Sequence, residues 1–484
     1  MIQVTQVDFY VLLPLIVLTG WACVLLLADL FIPKGRKWLT ALLAAFGLAL
    51  SLGLTLSQVG QENTAFSGMV ALDGFSVFVS ALLLLSGLLG VSLAYGYIQR
   101  MNIERGEYYS LILFSVSGMM LMAQAADLII LFLALELLSL PLYVLAAFAR
   151  PRTESEEAGL KYFLLGAFAS GFVLYGIALI YGATGTTALS GIVTTLASGP
   201  HSLLLLTIGA ALILVGLGFK VAAVPFHMWT PDVYQGAPTS VTAFMAAGAK
   251  IAGFSALLRV FATAFPPLAV DLTPVLWALS ALTMVVGNLI AIAQTDIKRM
   301  LAYSSIAHAG YILMAFVPYG NPEVAPVSVA AGLFYLATYA ITNFGSWGVV
   351  IALEQKEGKG LAISDYAGLG KKHPALAAAM TVFMLSLTGL PPTLGLVGKF
   401  YLFRSVIAGG YVDLAIIGVV TSLLSAYYYL RVVLTMYMQD GEPHIEREGW
   451  LDFTWGLSAL VTVLLSLLPA PLFSWASQAV LKLF

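Results

Sequence analysis

Lysine, glutamate and histidine can each take up or release a proton, and this sequence sets a few of them in or beside long apolar runs. Glu136 lies in LFLALELLSLPLY, nine residues from the nearest upstream charge, Asp127. Lys220 ends the run LLLLTIGAALILVGLGFK, Lys250 follows AFMAAGA and Lys399 follows TGLPPTLGLVG. Lys161 stands at the start of its run, near enough to the border to snorkel. A charge at the centre of a bilayer costs about 2.5–3.5 kcal/mol on insertion scales, so such groups usually line a polar path. Static ion pairing is the competing reading. It weakens for the set, because Lys220, Lys250 and Lys399 compete for Glu136, the one acid placed clearly mid-span. Burial disfavours the charged form of amines and carboxylates alike, which brings proton exchange within reach at neutral pH. The chemistry expected of the set is a proton relay.

His308, in YSSIAHAGYILM, suits a proton carrier between two lysine sites, or a hydrogen bond to a neighbouring helix. His227, beside Pro225, suits a gate or a solvated interfacial group. Tyr427, Tyr428 and Tyr429 are read as interfacial or packing residues with no role assigned. Pro225 and Pro391-Pro392 remove backbone donors next to Lys220 and before Lys399. Broken helices at membrane depth persist where protein or a hydrated cavity satisfies the freed backbone groups, although proline kinks also serve packing alone.

The elements that must position these residues are membrane spans. With 60% hydrophobic and 10% charged residues, the composition lies far outside that of soluble domains. A span needs about 20 mostly apolar residues. Runs of that kind fall near 9–31, 38–58, 75–97, 108–124, 127–148, 159–182, 203–225, 238–262, 273–294, 300–318, 327–353, 374–408, 411–437 and 451–472. This predicts an all-α integral membrane fold of about fourteen transmembrane helices, with the division at 123–127 the weakest and thirteen the alternative. Lys and Arg collect in alternate connections, around 34–37, 100–105, 150–152, 298–299, 356–372 and 447, while 59–74, 183–202, 263–272 and 319–326 have none and only Lys482 dissents. The basic connections are expected on the cytoplasmic side and both termini outside. The breaks fall in spans seven and twelve, five apart, which hints at two inverted five-helix repeats. The organisation expected is a three-helix segment (1–107), repeats at 108–262 and 273–437, and a C-terminal helix (438–484).

Other chemistries are excluded or unsupported. A single cysteine, Cys23, rules out a disulfide within the chain, a CxxC pair and a cysteine-ligated cluster. No phosphate-binding loop or dinucleotide fingerprint occurs. A net charge of −2 gives no basic excess for nucleic acid, and the longest polar stretch, 354–373, is too short for a soluble domain. The first apolar run lacks a basic leader and reads as a retained span.

The stretches GLGFKVAAVPFHMWTPDVYQGAPTSV, QTDIKRMLAYSSIAHAGY and LTGLPPTLGLVGKFYLF resemble the antiporter-like subunits of proton-pumping NADH:quinone oxidoreductase, respiratory complex I. The resemblance covers most of the chain. TPDVYQGAP and the lysine at 399 look like the N-type branch rather than the M-type, and the chain is too short for the lateral helix of the L-type. The resemblance implies fourteen spans, inverted repeats of spans four to eight and nine to thirteen, and broken spans seven and twelve. It implies that Glu136 and Lys220 interact, that Lys250 is the central relay and that Lys399 is the terminal exchange site, with Lys161 and His308 at family positions of less defined role. It further implies a multi-pass place in a bacterial inner membrane, and partners comprising a neighbouring antiporter-like subunit and the quinone-site subunits. NADH, FMN, iron–sulfur clusters and quinone would belong to those partners, with no cofactor or metal on this chain. A free-standing cation/proton antiporter and a scaffold with vestigial charges are the rival expectations.

Overall fold

The structure is a computed structural model describing residues 5–479; Lys482 lies outside the described residues. Helices α1 (Gln6–Ala28) and α2 (Trp38–Ser57) precede a small antiparallel hairpin of β1 (Asn63–Ala65) and β2 (Val70–Leu72). Next come α3 (Gly74–Arg100), α4 (Glu107–Gln124), α5 (Leu128–Ala146), α6 (Thr153–Thr184), the short α7 (Leu189–Ser198) and α8 (Leu203–Val221). α9 (Trp229–Gly236) and α10 (Thr239–Phe244) lead through a π-helical turn, Met245–Ala249, into α11 (Lys250–Ala264). Then follow α12 (Ala269–Ile292), α13 (Ile297–Leu313), α14 (Ala325–Leu353) and α15 (Leu369–Lys372). The chain closes with α16 (Pro374–Thr388), α17 (Leu394–Ala408), α18 (Val412–Met438), α19 (Gly449–Leu467) and α20 (Ala470–Gln478). The hairpin, α7, α20 and the π-turn were not expected from the sequence.

Among the described residues, eleven helices are long and apolar enough to cross a membrane. The remaining expected spans are α4, α13 and the pair α16–α17. The first two are largely buried, so protein rather than lipid covers them and they tolerate serine, tyrosine and histidine. The third is split into two short halves. At 123–127 the chain does leave the helix, because α4 ends at Gln124 and Asp127 caps α5.

Three local features position the site. First, glycines let α6 and α8 touch: a Cβ on Gly176 would stand 2.7 Å from the Gly209 carbonyl, and one on Gly209 2.8 Å from that of Gly176. Second, two aspartates cap helices in the same way. Asp127 caps α5, where Leu128 N–H donates to Thr187 O at 2.9 Å and Leu189 N–H to Ala126 O at 3.0 Å. Asp296 caps α13, where Ile297 N–H donates to Leu361 O at 2.8 Å and Ile363 N–H to Thr295 O at 2.9 Å. Third, α8 and α16 both stop on a left-handed residue, Ala222 (φ 63°) and Gly389 (φ 87°), each followed three residues later by a proline, Pro225 or Pro392.

The Lys- and Arg-bearing connections meet at one end of the bundle. Arg100 donates to Glu448 at 2.8 Å and to the Ile351 carbonyl at 2.6 Å, and Glu446 N–H donates to Ala352 O at 2.8 Å. Connections without Lys or Arg meet elsewhere, where Ala126 N–H donates to Met69 O at 2.9 Å beside the Thr187 contact.

Candidate functional site

Lys220, Lys250 and Lys399 are 3%, 1% and 3% exposed, and none takes part in an ion pair among the described residues. Neutral oxygens hold them instead, from α5 and α6 for Lys220, from α13 for Lys250 and from α16 and α18 for Lys399.

Lys220 points from the last turn of α8 towards α5 and α6. Its ammonium donates to Ser139 Oγ at 2.9 Å and Tyr162 OH at 3.1 Å, and the Tyr162 ring stacks on Trp229 at 4.6 Å. The Trp229 indole in turn donates to the Phe219 carbonyl at 2.9 Å, satisfying one backbone oxygen at the interrupted end of α8. Glu136 is half-buried one turn before Ser139 and accepts from Ser170 Oγ at 2.5 Å. No hydrogen bond or ion pair joins Glu136 to Lys220 among the described residues, although the two lie within electrostatic reach of each other. A cavity of about 10 Å³, lined by Ser139, Ser170, Lys220 and Tyr143, lies there, roughly the room one water requires.

Lys250 follows the π-turn, inside a stretch, 239–264, in which every residue is buried. π-turns interrupt the regular ladder and recur at functional positions. The Lys250 ammonium donates to the Ser305 carbonyl of α13 and stands 5.9 Å from the centre of the Tyr339 ring, whose hydroxyl donates to Ser305 Oγ at 2.8 Å. One turn further along α13, His308 is fixed through both ring nitrogens, Nδ1 to Tyr335 OH at 2.8 Å and Nε2 to Tyr429 OH at 3.1 Å. It lies within electrostatic reach of both Lys250 and Lys399.

Lys399 follows the second break. Its ammonium donates to the carbonyls of Leu387 and Thr388, at 3.1 and 2.8 Å, and to Ser422 Oγ at 2.6 Å, and it lies 4.5 Å from the Tyr311 ring centre. Those carbonyls are the ones freed where α16 stops, the negative end of its dipole. Tyr311 continues through Asn288 to Tyr428, which donates to Asn288 Oδ1 at 2.9 Å.

Lys161 is not part of this buried set. Its side chain is 40% exposed and pairs with Glu157 at 2.7 Å and Asp232 at 2.8 Å, while Arg299 reaches the other Asp232 oxygen at 2.9 Å. His227 sits half-buried in the 222–228 connection and contacts none of the buried lysines. Tyr428 and Tyr429, set aside as packing residues, are fully buried and hydrogen-bonded into the site, whereas Tyr427 is exposed. Their signal was the spacing Ser422, Ser425, Tyr429, a polar stripe on one face of α18. Two further acids stand at the ends of spans. Asp73 holds the buried Arg259 through bonds of 2.7 and 2.9 Å, and Glu354 is fully buried.

Residues 125–425 match the family described as NADH:quinone oxidoreductase/Mrp antiporter, TM. NADH-quinone oxidoreductase subunit N of Chloroflexus aggregans is 47% identical over 100% of this chain and 99% of its own length. A chain of respiratory complex I from Thermus thermophilus superposes with a TM-score of 0.82 at 39% identity, over 96% of this chain and 99% of that one. A chain of the Mrp complex from Dietzia shares the fold alone, with a TM-score of 0.83 at 23% identity over 96% of this chain and 97% of its own. An internal file of buried lysines seated at interrupted helices thus coincides with end-to-end similarity to one kind of subunit, and this chain belongs to the NADH-quinone oxidoreductase subunit N family.

Proposed function

We propose that this chain works as the proton-translocating subunit N of a bacterial respiratory complex I, moving protons through Glu136, Lys220, Lys250, His308 and Lys399 as partner subunits reduce quinone. The carrying observation is that three buried lysines are each held by neutral oxygens rather than by acids. A lysine locked to a carboxylate is a strut, whereas one held by hydroxyls and carbonyls can give up its proton without stranding a counter-charge. Glu136 and Lys220 form the input. Changing the charge at Glu136 alters the electrostatic work of protonating Lys220 across the small cavity between Ser139 and Ser170. Lys250 and His308 carry the proton along α13, and Lys399 releases it. Coupled sites of this kind titrate as a group. Lys161 and His227 act at the mouth of the path.

NADH oxidation and the FMN, iron–sulfur and quinone chemistry belong to partner subunits on this reading. The repeats run through spans four to eight and nine to thirteen. Their support is the matching caps at Asp127 and Asp296 and the matching breaks at Ala222 and Gly389, with the first cap beside Lys- and Arg-free loops and the second beside basic ones. The same segregation supports basic connections in the cytoplasm and both termini outside.

Replacing Lys220 or Lys399 by alanine in an assembled complex is expected to lower protons moved per NADH. Unchanged pumping with intact assembly would sink the relay. The shared Mrp fold favours a second reading, free-standing cation/proton exchange. That reading requires ion exchange by the chain expressed without redox partners.

A further inference from the structure

The relay leaves unused a buried acid–base pair at the basic end of the bundle. Glu354 follows the last residue of α14 and is 0% exposed, yet neither carboxylate oxygen accepts a hydrogen bond among the described residues. The 355–361 loop folds over it: a Cβ on Gly360 would stand 2.0 Å from the Leu353 carbonyl and 3.4 Å from Glu354 Cα. Lys298, on the first turn of α13, is 1% exposed and donates to the Ala237 carbonyl at 2.8 Å. The two side chains sense each other's charge without forming an ion pair, so this is no static bridge. Tyr97 of α3 and Tyr366 also face Glu354, and Arg152 and Asp296 act on Lys298.

Arg152 and Asp296 belong as well to the wall of a vestibule of about 420 Å³, together with Lys161, Asp232, Gln235 and Gly358. On the inner side, α9 links Lys298 to the central relay. Its Ala237 end holds Lys298, and its Tyr234 hydroxyl reaches Ser305, the residue whose carbonyl holds Lys250. Lys298 and Ser305 are seven residues apart on one face of α13, about 10 Å.

We propose that Glu354 and Lys298 form the proton intake of this subunit, loading from the vestibule and passing protons by way of Tyr234 and Ser305 to Lys250. Lys298 first gives a proton inward and becomes a neutral amine. A hydronium ion in the vestibule then protonates the Glu354 carboxylate and leaves water, and that O–H breaks as a new N–H forms on Lys298, restoring carboxylate and ammonium. The proposal rests on the relay through Lys250, so the test measures both.

Assembled complex carrying Glu354→Gln, Glu354→Asp or Lys250→Ala is reconstituted in vesicles, and proton uptake per NADH is followed with uncoupled NADH oxidation as the assembly control. Glu354→Gln is expected to lose at least half of the uptake that Lys250→Ala loses. Glu354→Asp, or formate supplied on the vestibule side of Glu354→Gln, is expected to restore part of it. Wild-type uptake in Glu354→Gln beside a defective Lys250→Ala overturns the intake but not the relay. Wild-type uptake in Lys250→Ala overturns the relay itself. A loss in Glu354→Gln that neither aspartate nor formate reduces marks a structural role and overturns the intake. Should Glu354→Gln not assemble, Lys298→Gln is measured by the same criteria, with Lys250→Ala as reference and formate as the rescuing acid.

Discussion

Lys220 and Lys399 solve one problem with different oxygens. Lys220 takes two hydroxyls, and Lys399 takes two backbone carbonyls and one hydroxyl. If the positive charge alone mattered, arginine would serve at either place. Arginine is never deprotonated in proteins, so a relay must fail with it. Lys399→Arg is therefore expected to assemble and to pump no better than Lys399→Ala, read as protons per NADH; pumping at wild-type level would make the lysine a fixed charge. Ser422→Ala removes one of three acceptors and leaves the ammonium less satisfied, at a cost of about 1–3 kcal/mol. Protonation of Lys399 should become about tenfold or more less favourable, read as fewer protons moved per NADH, since 1.4 kcal/mol is about a factor of ten. The lysines were legible in the sequence because a charge inside an apolar run is conspicuous. Ser139, Tyr162, Ser422 and Tyr335 were not, because a serine or tyrosine on another helix reads as packing until the helices are brought together.

At the scale of elements, the chain uses one device twice. An aspartate ends a connection, caps the next helix and clips a distant loop by two backbone hydrogen bonds. Asp127 also accepts from Thr187 Oγ1 at 2.8 Å. Asp127→Ala is expected to cost about 0.5–2 kcal/mol through the lost cap, more with the loop bond. The measurement is thermal unfolding of the complex in detergent, where an unchanged midpoint would deny the clip its role. Both helix breaks were legible because proline announces them. The π-turn before Lys250 was not, because MAAGA contains nothing that a regular helix would refuse. The hairpin and α7 escaped notice because each is far shorter than a span and lies in a connection between two spans.

Across the whole molecule, the middle of the path runs through α10, α11 and most of α14, which are buried in protein, while α6, α8 and α18 beside its ends also present exposed apolar faces. Burial on this scale makes each unmatched charge expensive. Asp73→Ala, which strands Arg259, is expected to destabilise by about 3–5 kcal/mol, while Asp73→Ala with Arg259→Met should recover most of the loss. The yield of assembled complex and its unfolding midpoint report both; equal damage in single and double variants would mean the pair is not a unit. Composition made the spans legible, and the alternation of basic loops supplied the expectation for their sidedness. Arg259 and Glu354 were missed because they stand near the ends of apolar runs, where a charge normally reaches water and here is covered by another loop or helix.

The seat of Lys399 has a consequence for how the pump meets changing conditions. A carboxylate partner would weaken in acid and could itself capture the passing proton. The carbonyls of Leu387 and Thr388 do neither, because a peptide dipole carries no titratable proton. On the proposed relay, Lys399 is thus referenced to a fixed internal field, much as a voltmeter is referenced to a standard cell.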